Sequence, residues 1–225
     1  TVTEAATDAG CRSLAAQVIV GTSGESFLAT RDFLPVLRLS WLRLALDDVP
    51  EHIRKLPELP HPGYRLTAWS GVVPDPLAAS FTAARQGMAD MPTGGVDFGP
   101  PEWDEDRVRA AAEVVARRGE RLETVAALAE ADGSVAGYTE LVLPADGSAP
   151  AQQYDTAVLP AHRGHGLGLW IKAAMLRRVR AEHPETTEIQ TDNADDNRHM
   201  LAVNTALGFR PQRRTVIYQL SLRAR

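Results

Sequence analysis

One short stretch near the middle of the chain combines a strand, a glycine-rich turn and a helix. Residues 153–159 are rich in β-forming side chains and end at Pro160, which cannot continue a β-ladder. Three alternating glycines follow, at Gly164, Gly166 and Gly168. Residues 169–180 contain neither Gly nor Pro and predict a helix. Because a helix that begins on such a turn presents unpaired N–H groups, the stretch predicts an anion-binding site.

The common nucleotide-binding loops do not match this turn. A P-loop ends in Gly-Lys-Ser/Thr, whereas this loop ends in Gly166-Leu-Gly-Leu169, and the next lysine is Lys172. A dinucleotide fingerprint needs the spacing G-x-G-x-x-G. Here only one residue separates the second glycine from the third, where the fingerprint has two. The anion is therefore not assigned by either motif.

Two segments resemble the GNAT superfamily of acyl-CoA N-acyltransferases. The run from Arg163 to Gly168 resembles the pyrophosphate loop of that superfamily, whose pattern is Gln/Arg-x-x-Gly-x-Gly/Ala. Downstream, a strand predicted at 188–191 precedes an Asn-rich helix that ends in Leu-Gly-Phe209, which is what GNAT enzymes show beside the pantetheine arm. The resemblance covers residues 64–222 and contains both motifs in the family's order.

The resemblance implies an α/β fold, with a mixed, mostly antiparallel GNAT sheet flanked by helices. The patterns of residues 64–222 agree, because they predict a strand, two helices, three strands, a helix, a strand, a helix and closing strands. Asp132-Gly133 predicts a hairpin turn between two of the strands. Residues 209–222 predict the last strands, with a bend at Arg213-Arg214.

Residues 1–60 stand apart from this resemblance. Their patterns predict helix, strand, helix and strand, followed by a proline-rich linker over 49–62. This order is similar to the last third of a GNAT domain. We therefore predict a partial, degenerate N-terminal GNAT-like lobe and linker at 1–60, as in tandem GNAT proteins, and a complete GNAT domain at 61–225. An unrelated helical extension is the alternative.

Composition limits the classes of partner and compartment. The chain has 225 residues and a net charge of −5 without a basic run, which argues against nucleic acids and anionic membranes as partners. Cys11 is the single cysteine, so no intrachain disulfide forms and we expect a cytoplasmic protein. No apolar run approaches the ~18 residues that a membrane-spanning helix needs.

The resemblance implies acetyl-CoA as the co-substrate and assigns residues to its parts. Backbone N–H groups of Gly164 to Gly168 would hold the phosphates, and Arg163 would pair with a phosphate oxygen. The pantetheine arm would pair with the backbone of the central strand. Asn197 fits a helix N-cap equally well, and His165 fits a solvated side chain equally well. The predicted cofactor-binding residues are Thr156, Ala157, Val158, Arg163, Gly164, His165, Gly166, Leu167, Gly168, Asn193 and Asn197.

The predicted catalytic residues are Glu140, Asn204 and Tyr218. The attacking amine must lose a proton, and Glu140 is the predicted base because GNAT enzymes often carry a Glu on this strand. A plain edge or solvent-facing Glu is the alternative. Many family members place a Tyr acid where this chain has Asn204, which can hydrogen-bond the thiol sulfur but cannot donate as an acid. Tyr218 or a water is then the predicted proton donor.

The resemblance implies an acetyl-CoA-dependent N-acetyltransferase that acts on a primary amine of a small molecule by direct attack in a ternary complex. The alternatives are a catalytically weak acyl-CoA-binding or regulatory module, and a protein N-terminal acetyltransferase. The spacing of His162, His183 and His199 matches no metal motif, so no metal is expected. The expected assembly is a monomer with pseudo-dimeric lobes or a homodimer.

Overall fold

A computed structural model describes residues 1–86, 95, 102–144 and 150–222. These form a mixed α/β structure in which helices flank one eight-stranded, mostly antiparallel sheet, which confirms the predicted fold class. The strands are β1 Ser13–Ile19, β2 Leu34–Ala45, β3 Tyr64–Ser70, β4 Glu120–Ala129, β5 Val135–Pro144, β6 Ala151–Val158, β7 Glu188–Ala194 and β8 Arg210–Ser221. The helices are α1 Val2–Asp8, α2 Ser23–Ala29, α3 Glu51–Lys55, α4 Asp75–Gln86, α5 Glu105–Arg117, α6 Leu167–Glu182 and α7 Arg198–Leu207.

The strands lie in the order β1-β8-β2-β7-β6-β5-β4-β3. All neighbours run antiparallel except β6 and β7, which are parallel and are joined through α6. The largest group of buried apolar side chains lies between α6 and the sheet, and a second group lies under α4 on the opposite face. The sheet is therefore covered on both faces around its centre.

Local sequence signals explain several element ends. The side chain of Asp104 accepts a hydrogen bond from the Arg107 N–H and starts α5, as expected of an N-cap aspartate. Gly133 adopts a left-handed φ of 74° in the β4–β5 hairpin, which glycine tolerates without steric cost. The α7 helix starts at the capping Asn197 and stops at Gly208.

The two N-terminal strands belong to the same sheet as the rest of the chain. β2 is inserted between β7 and β8 and pairs antiparallel with both, while β1 pairs with the outer edge of β8. Leu42 and Leu44 of β2 lie in the main core with side chains of α6. The order helix, strand, helix, strand is as predicted for this segment, and its division from 61–225 as a separate lobe stays a prediction.

The predicted bend at Arg213-Arg214 is wrong, because β8 is one continuous strand from Arg210 to Ser221. Both of its edges are paired, one with β1 and the other with β2, so the ladders hold it extended. The irregularity lies next to Pro211, at the unpaired Gln212, where the register with β2 shifts between Trp41 and Leu42. A proline has no N–H for the ladder, and the shift accommodates it.

Within the described residues, none of the helices has both the length and the apolar character that crossing a membrane requires.

Candidate functional site

The glycine turn leads directly into the N-terminus of α6. Gly164 and Gly166 have left-handed φ values of 83° and 75°, which explains why glycine stands at both positions. Gly166 is the N-cap, and within the described chain no side chain caps the helix. The first N–H groups of a helix have no intrahelical partner. The turn, with Leu167 and Gly168 in the first turn of the helix, thus has the geometry of an anion site.

The two cationic candidates of the turn differ in their contacts. The Nε of Arg163 donates to the carbonyl oxygen of Val158 at 3.1 Å, which ties the turn to the end of β6. Arg163 is exposed. The ring of His165 lies 5.7 Å from that of Tyr64. The role predicted for His165, either a phosphate ligand or a solvated side chain, stays a prediction.

A residue from the proline-rich linker also touches the turn. His61 Nε2 lies 2.7 Å from the carbonyl oxygen of His165, and the His61 ring stacks on Trp170 with centroids 4.4 Å apart. Tyr64, at the start of β3, hydrogen-bonds His162 Nδ1 at 3.1 Å. His61 of the linker and Tyr64 of β3 thereby contact the turn and the start of α6. Sequence reasoning missed His61, because no motif joins it to a loop so far along the chain.

The parallel strands β6 and β7 pair only at the start of β6 and separate well before the glycine turn. Their ladder contains only the pairs Ala151–Ile189 and Gln152–Gln190. Beyond them β6 pairs only with β5 and β7 only with β2, so each strand has a free backbone edge that faces the other. The segment Thr156–Val158, predicted to pair with the pantetheine arm, lies on this free edge of β6.

Close packing of β5 and β6 supports this edge. A Cβ at Gly137 would lie 2.8 Å from the carbonyl oxygen of Ala157, so only glycine fits there. The hydroxyls of Thr139 and Thr156 are 2.8 Å apart and join the two strands. After Gln152, one backbone edge of β6 is therefore paired with β5, and the other edge is unpaired within the described residues.

The three predicted asparagines belong to neighbouring elements: Asn193 lies on β7, Asn197 caps α7 and Asn204 lies within α7. Asn204 Nδ2 donates to Asn193 Oδ1 at 2.5 Å, and Asn204 is fully buried. Its Oδ1 is buried and lacks a hydrogen-bond partner within the described residues. Asn197 Oδ1 accepts from the Met200 N–H at 3.2 Å, which is the helix-cap alternative. Asn204 Oδ1 is thus a buried acceptor that no described group satisfies.

Glu140 is buried in an ion pair with Arg85 of α4. Both carboxylate oxygens accept from Arg85 Nη1, at 2.8 and 2.7 Å, and Glu140 is 2% exposed. Burial is the main cause that raises the pKa of Glu140, to about 7. The solvent-facing alternative does not fit this position. Its role as a base stays a prediction, and Arg85 covers the oxygens that such a base would use.

A second carboxylate shares the same arginine. Arg85 Nη2 donates to Asp155 Oδ2 at 3.1 Å, and Trp103 stacks over the guanidinium at 4.1 Å. Burial raises the pKa of Asp155 despite the nearby arginine. Sequence reasoning missed Arg85 and Asp155. The available signal was weak: a charged residue directly before Thr156, and an arginine four residues after Phe81 on an apolar helix face.

Tyr218 is not brought together with these residues. It lies on β8, where its register partners are Ala16 of β1 and Pro35 of β2, and its hydroxyl donates to Glu25 at 3.4 Å. Two strand spacings of about 4.8 Å separate β8 from β7, and β6 lies further still. Tyr218 therefore packs with the N-terminal helix α2 rather than at the opening.

Another buried polar cluster lies at the far end of α6. Glu123, Glu182 and His183 form the one group of three close metal-ligating side chains in the described part of the chain. Arg178 Nε and Ser70 Oγ both donate to Glu123, at 2.9 Å and 2.8 Å, so its charge is already compensated. This arrangement is a satisfied ion-pair network.

The region of the chain that contains the turn matches a known protein family. Residues 92–209, just over half of the chain, match the model of the acetyltransferase (GNAT) family. Among curated proteins, no sequence is significantly similar to this one.

Several solved structures share the fold. A tandem GNAT protein from the clavulanic acid biosynthesis pathway, without acetyl-CoA, is 26% identical with a TM-score of 0.76, over 98% of this chain and 67% of that one. A GCN5-related N-acetyltransferase from Sphaerobacter thermophilus is 15% identical with a TM-score of 0.69, over 94% and 60%. One from Kribbella flavida is 19% identical with a TM-score of 0.58, over 96% and 71%. The chain thus spans about two thirds of the first structure and less of the second.

Proposed function

This chain belongs to the acetyltransferase (GNAT) family, and we propose that it transfers an acetyl group from acetyl-CoA to a primary amine of a small molecule by direct attack in a ternary complex. The observation that carries the proposal is the separation of β6 from β7 beside the uncapped start of α6. A free strand edge next to an anion site fits a ligand with phosphates at one end and amides along its length.

Each part of acetyl-CoA has a proposed place. The N–H groups of the turn from Gly164 to Gly168 hold the pyrophosphate, and Arg163 pairs with a phosphate oxygen. The amides of the pantetheine arm bond the backbone of Thr156–Val158. Asn204 Oδ1, a buried acceptor without a described partner, bonds the thiol or an amide of the arm.

A small acceptor is favoured by one comparison. The similar tandem GNAT protein belongs to the clavulanic acid biosynthesis pathway, whose product is a small molecule. The acceptor would approach from the α4 face, where Arg85, Glu140 and Asp155 meet. The two carboxylates of that cluster suit an amine acceptor, since a protonated amine is a cation.

Calorimetric titration with acetyl-CoA and with CoA tests the cofactor site. We expect Arg163→Ala to weaken both affinities about tenfold, because a charge-assisted hydrogen bond to phosphate is lost. Arg177→Ala is the matched control, since Arg177 is exposed on the outer side of the same helix. Absence of heat and of thermal shift with millimolar acetyl-CoA would refute the proposal.

A catalytically weak acyl-CoA-binding module is the second candidate. It is favoured by Asn204 at the position where family members carry a Tyr acid, because Asn cannot protonate a leaving thiolate. Release of free thiol from acetyl-CoA in the presence of amines separates the two functions. An enzyme releases thiol in proportion to the amine supplied, whereas a binding module takes up acetyl-CoA and releases none.

A further inference from the structure

We propose that Asp155 is the carboxylate that contacts the acceptor ammonium and takes its proton, and that Glu140 is a positioning residue that acts through Arg85. This inference rests on the proposed function. It differs from the sequence prediction, which assigned the proton transfer to Glu140 itself.

The position of Asp155 along β6 places it at the acyl end of the cofactor. The phosphates are proposed at residues 164–168, and the pantetheine arm runs back along the strand from Val158 to Thr156. The next residue along that path is Asp155. Each strand residue advances about 3.3 Å, so Asp155 lies further from the proposed phosphate site than Thr156–Val158 does, on the side where the acyl end of such an arm would lie.

A bulge in β6 turns Asp155 toward Arg85. The register pairs Thr139 with Thr156 and Leu141 with Gln153, so two residues of β6 lie opposite Glu140 alone. An extra residue in one strand bends it locally and re-aims the side chains. Tyr154 and Asp155 share this position, and Asp155 thereby reaches the same guanidinium as Glu140.

The two carboxylates differ in their access to a ligand. Glu140 is buried and gives both oxygens to Arg85 Nη1. The side chain of Asp155 is 37% exposed and gives only Oδ2 to Arg85, while its Oδ1 makes no hydrogen bond within the described residues. An acceptor amine thus meets a free oxygen of Asp155, whereas the oxygens of Glu140 are already occupied.

Charge and unsatisfied polar atoms also point to a ligand here. Two carboxylates share one guanidinium, so the cluster carries a net charge of about −1 when both are ionised, which attracts an ammonium ion. The hydroxyl of Tyr138 and the Nε of Arg85 are buried without a hydrogen-bond partner in the described chain. Buried polar groups are normally satisfied, so these two atoms mark a place where a ligand or its water binds.

The proposed step conserves protons and electrons. Asp155 takes one proton from the ammonium, and the freed nitrogen lone pair attacks the thioester carbonyl carbon. A C–N bond forms, the C–S bond breaks, and the sulfur leaves as a thiolate. The nitrogen then gives its second proton to the thiolate, and Asp155, being half-exposed, returns the first proton to water.

The experiment measures thiol release from acetyl-CoA with three primary amines, propylamine, putrescine and glucosamine, for the wild type and for Asp155→Asn. We expect the variant to lose about 100-fold in kcat with the best of the three, since a positioned base contributes that much. Its acetyl-CoA affinity stays within about twofold, because the backbone of β6 is unchanged. Asp75→Asn, at an exposed position of α4, is the matched control and changes neither quantity.

The pH profile of kcat/KM then separates Asp155 from Glu140. In Asp155→Asn the acidic limb of the profile, where kcat/KM falls because the base is protonated, disappears. In Glu140→Gln it persists but moves to lower pH, because Arg85 then favours the ionised form of Asp155 without a competing carboxylate. Loss of the limb in Glu140→Gln with kcat retained in Asp155→Asn would overturn this inference alone. Failure of the wild type to bind acetyl-CoA, or to acetylate any of the three amines, would overturn the proposed function as well.

Discussion

At the scale of single residues, Lys172 is the least expected side chain in the structure. It lies on α6 among apolar core residues, is 2% exposed, and its Nζ sits 5.5 Å from the ring centroid of Phe209. Burial lowers the pKa of Lys172 from 10.5 to about 7. A buried ammonium costs free energy that a neutral amine does not, so the lysine loses its proton on folding at neutral to basic pH.

We therefore expect the stability of the protein to rise with pH through this lysine. Between pH 7 and 10.5 the unfolded chain binds the Lys172 proton and the folded chain does not, so the free energy of unfolding increases by up to about 1.4 kcal/mol per pH unit. Lys172→Met removes this slope and stabilises the protein at pH 7. Urea unfolding of both proteins at pH 7, 8 and 9 measures it, and parallel curves would contradict the assignment.

At the scale of elements, the contact between the linker and the glycine turn predicts an effect on cofactor affinity. His61→Ala removes the hydrogen bond to the His165 carbonyl and the stack on Trp170. We expect acetyl-CoA affinity to fall about fivefold, since the two contacts together contribute about 1 kcal/mol to holding the turn in its binding geometry. His52→Ala, at an exposed position of α3, is the control that leaves the affinity unchanged. Equal affinities for both variants would show that the linker does not brace the turn.

The sequence predicts features that depend on neighbouring residues, and it does not predict contacts between distant elements. The turn at Gly164–Gly168 and the cap at Asn197 were predicted because a few adjacent residues determine their geometry. The pairing of Arg85 with Glu140 spans 55 residues and depends on how α4 packs on the sheet. The bulge at Asp155 depends on the register with β5, and no pattern within β6 alone specifies it.

At the scale of the whole molecule, the N-terminal strands are joined to the sheet by a pairing that local patterns do not indicate. Strand β2, residues 34–45, lies between β7 and β8. It therefore joins β7, beside the proposed cofactor site, to β8, the last strand of the chain. Leu44 of β2 is fully buried in the main core, and Ile53 of α3 is 1% exposed in the same core. The core thus contains side chains from both parts of the predicted domain division.

This arrangement predicts that a chain of residues 61–225 does not fold cooperatively. Without β2, the strands β7 and β8 lose their common neighbour, and the apolar surface that covers Leu42 and Leu44 is exposed to water. We expect no cooperative thermal transition and no binding of acetyl-CoA. A chain of residues 12–225 is the matched control, because α1 contributes no buried residue and its loss costs no more than about 1 kcal/mol. A 61–225 chain that melts cooperatively and binds acetyl-CoA would instead establish the second region as a self-sufficient domain, with the N-terminal strands as an addition to it.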